Sequence, residues 1–392
     1  MLNNLKMSGK YSYDLLQLIE PDFNSSLTDL ILELNHLRRK TLQGTTLPPI
    51  FFQMKGIFHS IESLESARIE GNRTTLSELV ERKIEDGSSK SESFLEIENV
   101  ERAITFIDRY VSTIPINRIF ISELHQIVVE KLSLEKEGDG TPGVYRKTNV
   151  QIAKAHHVPP DFSQVASYMD ELFAFINADD SQKFDLLKTA LVHHRFVWIH
   201  PFRNGNGRSV RLLTYAMLVK QGFQVDIGRI LNPTAIFCND RKKYYHYLAQ
   251  ADSGERTHLL QWCDYVLSGL KEEIEKIDLL LDYAFLSEKI LLPAVHFSLD
   301  RKMITPIEAK ILEVAIQRQI FQAGDLKKIL PNKIPAEISR LLRALKEKRM
   351  IVAVAKNRAR KYYMNFHNSY LLRGIIEMLS RNGFLPTTDV LG

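Results

Sequence analysis

A chain of 392 residues, 44% apolar and 25% charged, has the make-up of an ordinary globular protein and room for two or three domains of about 100–200 residues. That composition excludes a disordered chain, a collagen-like fibre and a disulfide-stapled miniprotein. The formal charge of +5 is unevenly spread: Arg301 to Phe366 holds 16 Lys and Arg against 5 Asp and Glu, a local +11 that leaves −6 for the rest. Such a split implies two regions with different partners, the basic one facing an anion.

No apolar run reaches the roughly 18 residues of a membrane-spanning helix, so no membrane partner is expected. The start, Met1-Leu2-Asn3-Asn4-Leu5-Lys6, lacks the apolar stretch and small-residue cleavage site of a secretory signal. Cys238 and Cys263 each sit in an apolar stretch and read as buried thiols in a reducing compartment, so a cytoplasmic location is expected.

Apolar residues recur at three- and four-residue spacing over Leu27–Leu37, Ile97–Tyr110, Phe120–Leu132, Val165–Ile176, Leu186–Val197 and Leu259–Leu281, which predicts amphipathic helices. Turn-forming clusters interrupt them at 44–49, 86–89 and 137–140. The last leads into Gly143-Val144-Tyr145-Arg146 and Val150-Gln151-Ile152, β-favouring pieces that predict a small hairpin closed off by Val158-Pro159-Pro160. The first two-thirds is then helical with one β excursion.

Thr305 and Pro306 start a further helix as cap and first helical residue. A second begins near Asp325 and a third runs from about Pro335 to Lys348. Ile351–Val354 and Tyr362–Met364 then flank the basic turn Lys356-Asn357-Arg358-Ala359-Arg360-Lys361. Three helices followed by a basic two-stranded ribbon is the order of a winged helix-turn-helix, and Arg340, Arg343 and Lys346 share one face of its third helix. Such a fold also serves protein docking, so DNA and protein both stay open as its partner. Beyond it, Leu371, Ile375, Ile376 and Leu379 form an apolar stripe in a helical tail.

The stretch richest in chemistry is His200-Pro201-Phe202-Arg203-Asn204-Gly205-Asn206-Gly207-Arg208, followed by Ser209-Val210-Arg211. Pro201 breaks one helix and a new one begins near Gly207. Two glycines in three residues let the backbone approach a ligand closely, and N–H groups at a helix start form an anion nest suited to phosphate. Arg208 and Arg211, three apart, add charge-assisted bonds. His200 has the pKa of a general base near neutrality. Base, nest and paired arginines imply nucleotidyl or phosphoryl transfer. His193 and His194 read as helix packing, and the absence of HExxH or Cys/His ligand spacing argues against zinc.

Taken whole, the nine-residue string resembles the signature of the Fic family, HPFx[D/E]GNGR, whose members transfer AMP from ATP to protein hydroxyls. Gly143-Val144-Tyr145-Arg146, Val150, Ile152 and Pro159-Pro160 resemble that family's target-binding flap. Asp240 to Leu248, with Tyr244-Tyr245, resembles its helix near the adenine pocket. Ser66-Ala67-Arg68-Ile69-Glu70-Gly71 matches the inhibitory motif [ST]xxxE[GN] of one class of members. The resemblance covers roughly residues 10 to 285. It implies a mainly α fold with a helical Fic core, a small β-hairpin flap and a C-terminal winged helix-turn-helix. The domains would be 1–95 (with an inhibitory helix at about 60–72), 96–290 for the core, 300–367 for the winged helix and 368–392 for the tail.

The resemblance also implies roles. His200 would deprotonate a Ser, Thr or Tyr hydroxyl on a target protein, or on the chain itself, for attack on the α-phosphate of ATP. Gly205, Asn206 and Gly207 would hold phosphates, with Arg208 on the α/β side and Arg211 on the γ-phosphate. Tyr245 would pack on the adenine, and Phe202 would anchor the loop. Mg²⁺ would accompany ATP, but the family's acidic ligand is Asn204 here, which leaves metal affinity open. Glu70, with Ser66 one turn before it, would pair with Arg211 in place of the γ-phosphate and make the protein self-inhibited. Two alternatives remain: a de-AMPylase in which Glu70 orients water, and an ATP-sensing DNA-binding regulator. A homodimer is the default oligomeric expectation.

Overall fold

The computed structural model describes residues 16–39, 45–85, 91–152, 157–223, 230–355 and 360–385. Helices overlie each of the six stretches that the apolar spacing marks, with others between them. In order they are α1 (Ser26–Arg39), α2 (Pro48–Ile69), α3 (Leu76–Glu85), α4 (Glu92–Tyr110), α5 (Arg118–Val129), α6 (Val165–Asn177), α7 (Asp185–Ile199) and α8 (Asn206–Lys220). There follow α9 (Thr234–Cys238), α10 (Arg241–Ala251), α11 (Arg256–Asp278), α12 (Tyr283–Phe285) and α13 (Leu292–Asp300), the last two joined by a π-helical turn.

Two apolar cores organise them. The first gathers residues of α1, α4 to α8, α10 and α11, centred on Leu191, Phe196, Phe202, Tyr215 and Trp262. His193 and His194 lie inside it as packing residues: His193 bonds Thr214 and Tyr244, and His194 bonds Asp252. The second core unites α2 and α3 with the chain from Ile277 to Leu385. Thus α2, although N-terminal in sequence, packs with the C-terminal third. It is buried on most sides, polar residues included: Lys55, Glu62, Ser63, Glu65 and Ser66 are buried along with Met54, Phe58 and Leu64. Pro48 and Pro49 set its first turn, and Leu47 before them is extended, as a residue preceding proline prefers.

The C-terminal third continues with α14 (Pro306–Arg318), β1 (Phe321–Gln322), a 3₁₀ turn (Ala323–Lys328), α15 (Pro335–Glu347), β2 (Ile351–Ala353), β3 (Lys361–Met364) and α16 (Leu371–Arg381). The strands form an antiparallel sheet in the order β1-β3-β2, with Phe321 opposite Tyr362 and Ile351 opposite Met364. The helix expected near Asp325 is the 3₁₀ turn. Gly324 lies inside it and Pro331 soon after, which leaves no room for an α-helix before α15. Of the basic turn, residues 356–359 lie outside the described residues, as do 86–89 of an earlier turn.

Thr305 caps α14 as expected: its Oγ1 accepts from Glu308 N–H while Glu308 Oε2 accepts from Thr305 N–H at 2.8 Å. Thr305→Ala is expected to lower stability by about 1 kcal/mol, read as a fall in the urea midpoint.

The hairpin expected over 143–152 is not formed among the described residues, which carry no strand there. The backbone donors go elsewhere. Gly143 N–H donates to His125 Nδ1, Val144 N–H to Thr141 O, and Arg146 N–H to Pro201 O. The segment is thereby laid along the loop after α7 rather than paired with itself. Residues 153–156 lie outside the described residues. No described helix is long and apolar enough to cross a membrane.

Candidate active site

The loop between α7 and α8 carries His200 to Gly205. His200 closes α7 in the left-handed region, with φ 51°, a conformation that disfavours any residue with a Cβ. Arg146 holds it there. Its Nε donates to His200 O at 2.9 Å and its Nη2 to the carbonyls of Pro160 and Ile199. The His200 Nδ1 faces Val197 O at 3.4 Å, which leaves Nε2 for a substrate proton. Burial pushes His200 down to about 4, so its ring is neutral at pH 7.

Phe202, fully buried, anchors the loop by stacking on His125 with ring centroids 3.8 Å apart. Asn206 staples it from behind: Phe202 N–H donates to Asn206 Oδ1 and Asn206 Nδ2 donates to Phe202 O, both at 2.9 Å. The Asn206 side chain thus holds the loop, with its backbone in the first turn of α8. His125 accepts from Gly143 N–H at Nδ1, so its Nε2 carries the proton and donates to Asn204 O at 3.0 Å. Burial, which holds this ring at about 4, agrees with that neutral form.

Gly205 turns the chain into α8 at φ 72°, and a Cβ there would come within 2.9 Å of Val129. Gly207 is needed for another reason. A Cβ on it would lie 2.0 Å from Glu70 Oε1, so the glutamate sits directly over the first turn of α8. The carboxylate thus lies at the helix start that the sequence offers as an anion nest.

Glu70 reaches this seat from the end of α2. There Gly71, at φ 112°, allows a Schellman turn: Asn72 N–H bonds Ala67 O and Gly71 N–H bonds Arg68 O. The Asn72 side chain then ties the turn to α4 through Ser93 O and Glu96. Arg211 on α8 completes the latch. Its Nη2 donates to Glu70 Oε1 at 2.7 Å and to Ser66 O at 2.8 Å, and its Nε donates to Ser66 Oγ at 3.0 Å. Burial alone would raise the Glu70 carboxyl, but Arg211 and Arg208 outweigh it and hold the group below its ordinary value.

Arg208 is fully buried and pairs with Glu137 at 2.8 Å and Glu96 at 3.0 Å. Burial pushes Glu96 up to about 7 in spite of the guanidinium. These two carboxylates were not legible as site residues: Glu137 lay in a turn cluster and Glu96 in a helix with no local signature. Tyr245, on α10, is half exposed and touches Tyr244 with centroids 5.2 Å apart; Arg211 and Glu70 lie close enough to act on it electrostatically. The structure thus gathers His200, Gly207, Arg208, Arg211, Ser66, Glu70 and Tyr245 around one loop and helix start.

Asn204 does not stand free for a metal. Its Oδ1 accepts from Gly205 N–H at 2.8 Å and its Nδ2 donates to Lys136 O at 2.8 Å. No group of three or more His, Cys, Asp or Glu among the described residues is placed to hold a metal ion. A magnesium ion held by protein side chains alone does not fit this loop.

Residues 115–218 match the Fic/DOC family. The protein adenylyltransferases Fic of Drosophila melanogaster and Drosophila grimshawi are each 31% identical over 205 residues, 51% of this chain. The match spans 37% and 38% of those relatives' own lengths. Two solved structures share the fold. A Fic family protein from Desulfovibrio desulfuricans has a TM-score of 0.53 at 18% identity, covering 90% of this chain and 98% of its own. A Fic domain containing signalling protein from Bacteroides thetaiotaomicron has 0.52 at 19%, covering 64% and 97%. The loop, the helix start and the paired arginines all lie inside the segment, residues 115–218, that matches the Fic/DOC family.

Proposed function

We propose that the chain is a protein adenylyltransferase that moves AMP from ATP to a Ser, Thr or Tyr hydroxyl of a target protein or of itself, and that Glu70 inhibits it. The observation carrying this reading is the Glu70 carboxylate seated over Gly207 and bonded to Arg211 at 2.7 Å. It rests where an anionic phosphate would bind. In this mechanism His200 Nε2 takes the hydroxyl proton as the oxygen attacks the α-phosphate, and pyrophosphate leaves. The start of α8 with Arg208 and Arg211 holds the phosphates, and Tyr245 lies against the base. Magnesium, if bound, would offset the charge of the phosphates, and Asn204, whose amide oxygen already accepts from Gly205 N–H, would offer it no negative charge.

Incubation with α-³²P-labelled ATP and Mg²⁺ tests the reading. Label on protein with Glu70→Gly and none with Glu70→Gly/His200→Ala supports it. No label with either variant, while ATP still binds, overturns it. Loss of a wild-type AMP-removing activity in Glu70→Gly would favour the de-AMPylase instead.

The pH profile follows from His200. Only the neutral ring accepts a proton, so the rate is full above the folded pKa and falls as pH drops through it. Burial holds that value at about 4, and loss of the Glu70 charge, which raises it, moves it lower still. The kcat/KM of Glu70→Gly is therefore expected to show no His200 limb between about pH 8 and 5.5. An acid limb centred near the ordinary histidine value of about 6.5 would count against the assignment.

A basic groove in the C-terminal third favours DNA as a second partner. Gln322, Ser339, Arg343, Lys346, Arg360 and Tyr362 line it, between α15 and the sheet. Arg340, Arg343 and Lys346 are all exposed on α15. This is the winged-helix reading of the segment. Duplex affinity should fall steeply with salt, and a flat salt dependence would exclude phosphate contacts.

A further inference from the structure

The helix that ends in Glu70 begins in the wall of the C-terminal third. Gln53 on α2 donates from Nε2 to Met364 O, at the end of β3, at 3.0 Å. Its Oε1 accepts from Phe366 N–H at 2.8 Å and His367 N–H at 3.4 Å. Just before the helix, Leu47 N–H donates to Gln319 Oε1 at 3.0 Å. At Gly56 the contact is so close that a Cβ would lie 2.8 Å from His367 Nε2. Ile50, Met54, Ile57 and Phe58 share their core with Leu312, Met364 and Phe366.

The strand that fixes Gln53 also lines the basic groove. Tyr362 of β3 faces the groove, and Met364, two residues on, accepts from Gln53. From Gln53 to Glu70 the helix covers about 25 Å at ~1.5 Å per residue. Two residues after Gln53, Lys55 pairs with Asp108 at 2.5 Å, and the Tyr215 hydroxyl of α8 donates to the same carboxylate at 2.6 Å. One stiff element therefore joins the groove to the nucleotide site, and side chains along it fix its position. Packed interfaces of this sort switch between discrete arrangements rather than bending continuously.

We propose that duplex DNA held in the basic groove is an effector of the nucleotide site, and that α2 transmits its effect. The proposal rests on the Glu70 and DNA readings above. In this structure Glu70 engages Arg211 and the groove stands open. A ligand fitting that groove stabilises the latched form. ATP, whose γ-phosphate competes with Glu70 for Arg211, favours the unlatched form. Each ligand then weakens the other by the same factor. DNA-bound protein is held in the latched, silent form, and off DNA the latch yields to ATP more readily.

The test uses the full chain at low salt. ATP affinity is measured by calorimetry with and without a DNA duplex. Affinity for a fluorescent duplex is measured by anisotropy with and without a non-hydrolysable ATP analogue. The expected result is mutual weakening by about 5-fold or more, equal in both directions. In Glu70→Gly both ligands still bind and the mutual effect disappears. In Arg343→Ala/Lys346→Ala the duplex and its effect are lost together. A duplex that binds without changing ATP affinity, or that strengthens it, overturns the proposal. So does an effect that persists in Glu70→Gly, which would mean direct competition for the nucleotide site. Absence of duplex binding removes the DNA reading itself, and absence of labelled product with Glu70→Gly removes the transferase reading, so the failures are separable.

Discussion

Glu70→Gly is expected to raise AMP transfer by about 100-fold or more over wild type, chiefly in kcat. The size follows from geometry. Glu70 Oε1 lies over Gly207 and binds Arg211 at 2.7 Å, so a triphosphate can enter only with its γ-phosphate displaced. The α-phosphate is then off line for the attacking hydroxyl, and misplacement by about 1 Å costs on the order of 10² in rate. Removing the carboxylate frees the guanidinium for phosphate and leaves the α8 start open. Adding His200→Ala to the variant should lower the rate by about 10²–10⁴, the usual worth of a general base. Initial rates with labelled ATP at matched nucleotide and Mg²⁺ measure both. Equal rates for wild type and Glu70→Gly would sink the inhibitory role.

Phe202→Ala is expected to destabilise the protein by about 3–5 kcal/mol, the range for emptying a large buried aromatic. Phe202 is 0% exposed, stacks on His125 at 3.8 Å and lies within 5.8 Å of the Tyr145 ring and 6.4 Å of Phe196. The cavity would open under the turn that carries His200, so activity should fall with stability. Urea unfolding followed by near-UV circular dichroism gives the shift. Phe202→Leu, which keeps most of the volume, should retain over half of the lost stability. A shift below about 1 kcal/mol for the alanine variant would mean the loop is held by the Asn206 staple alone.

Much of this site was legible along the chain because its parts are local. His200 to Arg211 are contiguous, and a proline, two glycines and two arginines each act through backbone geometry or charge at short range. Ser66 and Glu70 were readable through the resemblance of their motif, which the one-turn spacing between them fits. Asn206 illustrates the limit. The string placed it among phosphate-holding residues, and the structure adds that its side chain makes two bonds to Phe202 that hold the loop. Asn204 likewise turns its amide oxygen to Gly205. Which way an amide points depends on neighbours that periodicity does not describe.

The expected flap hairpin failed for a related reason. β-favouring residues at 143–152 met stronger competing partners: His125, 18 residues earlier, and Pro201, 55 residues later, take backbone donors that a ladder needs. Propensity is a weak prior where such contacts are on offer.

By itself the sequence determined the helical class, the glycine-rich loop after His200 with its two arginines, and the basic C-terminal segment, because each rests on spacing, composition or a short motif. Only the tertiary structure decided that Glu96 and Glu137 clasp Arg208, that Glu70 lies over Gly207, and that α2 shares its core with the C-terminal third. Those are meetings of residues far apart in the chain. They are selected by the joint burial of apolar faces and the pairing of buried charges, and no window of sequence contains both partners.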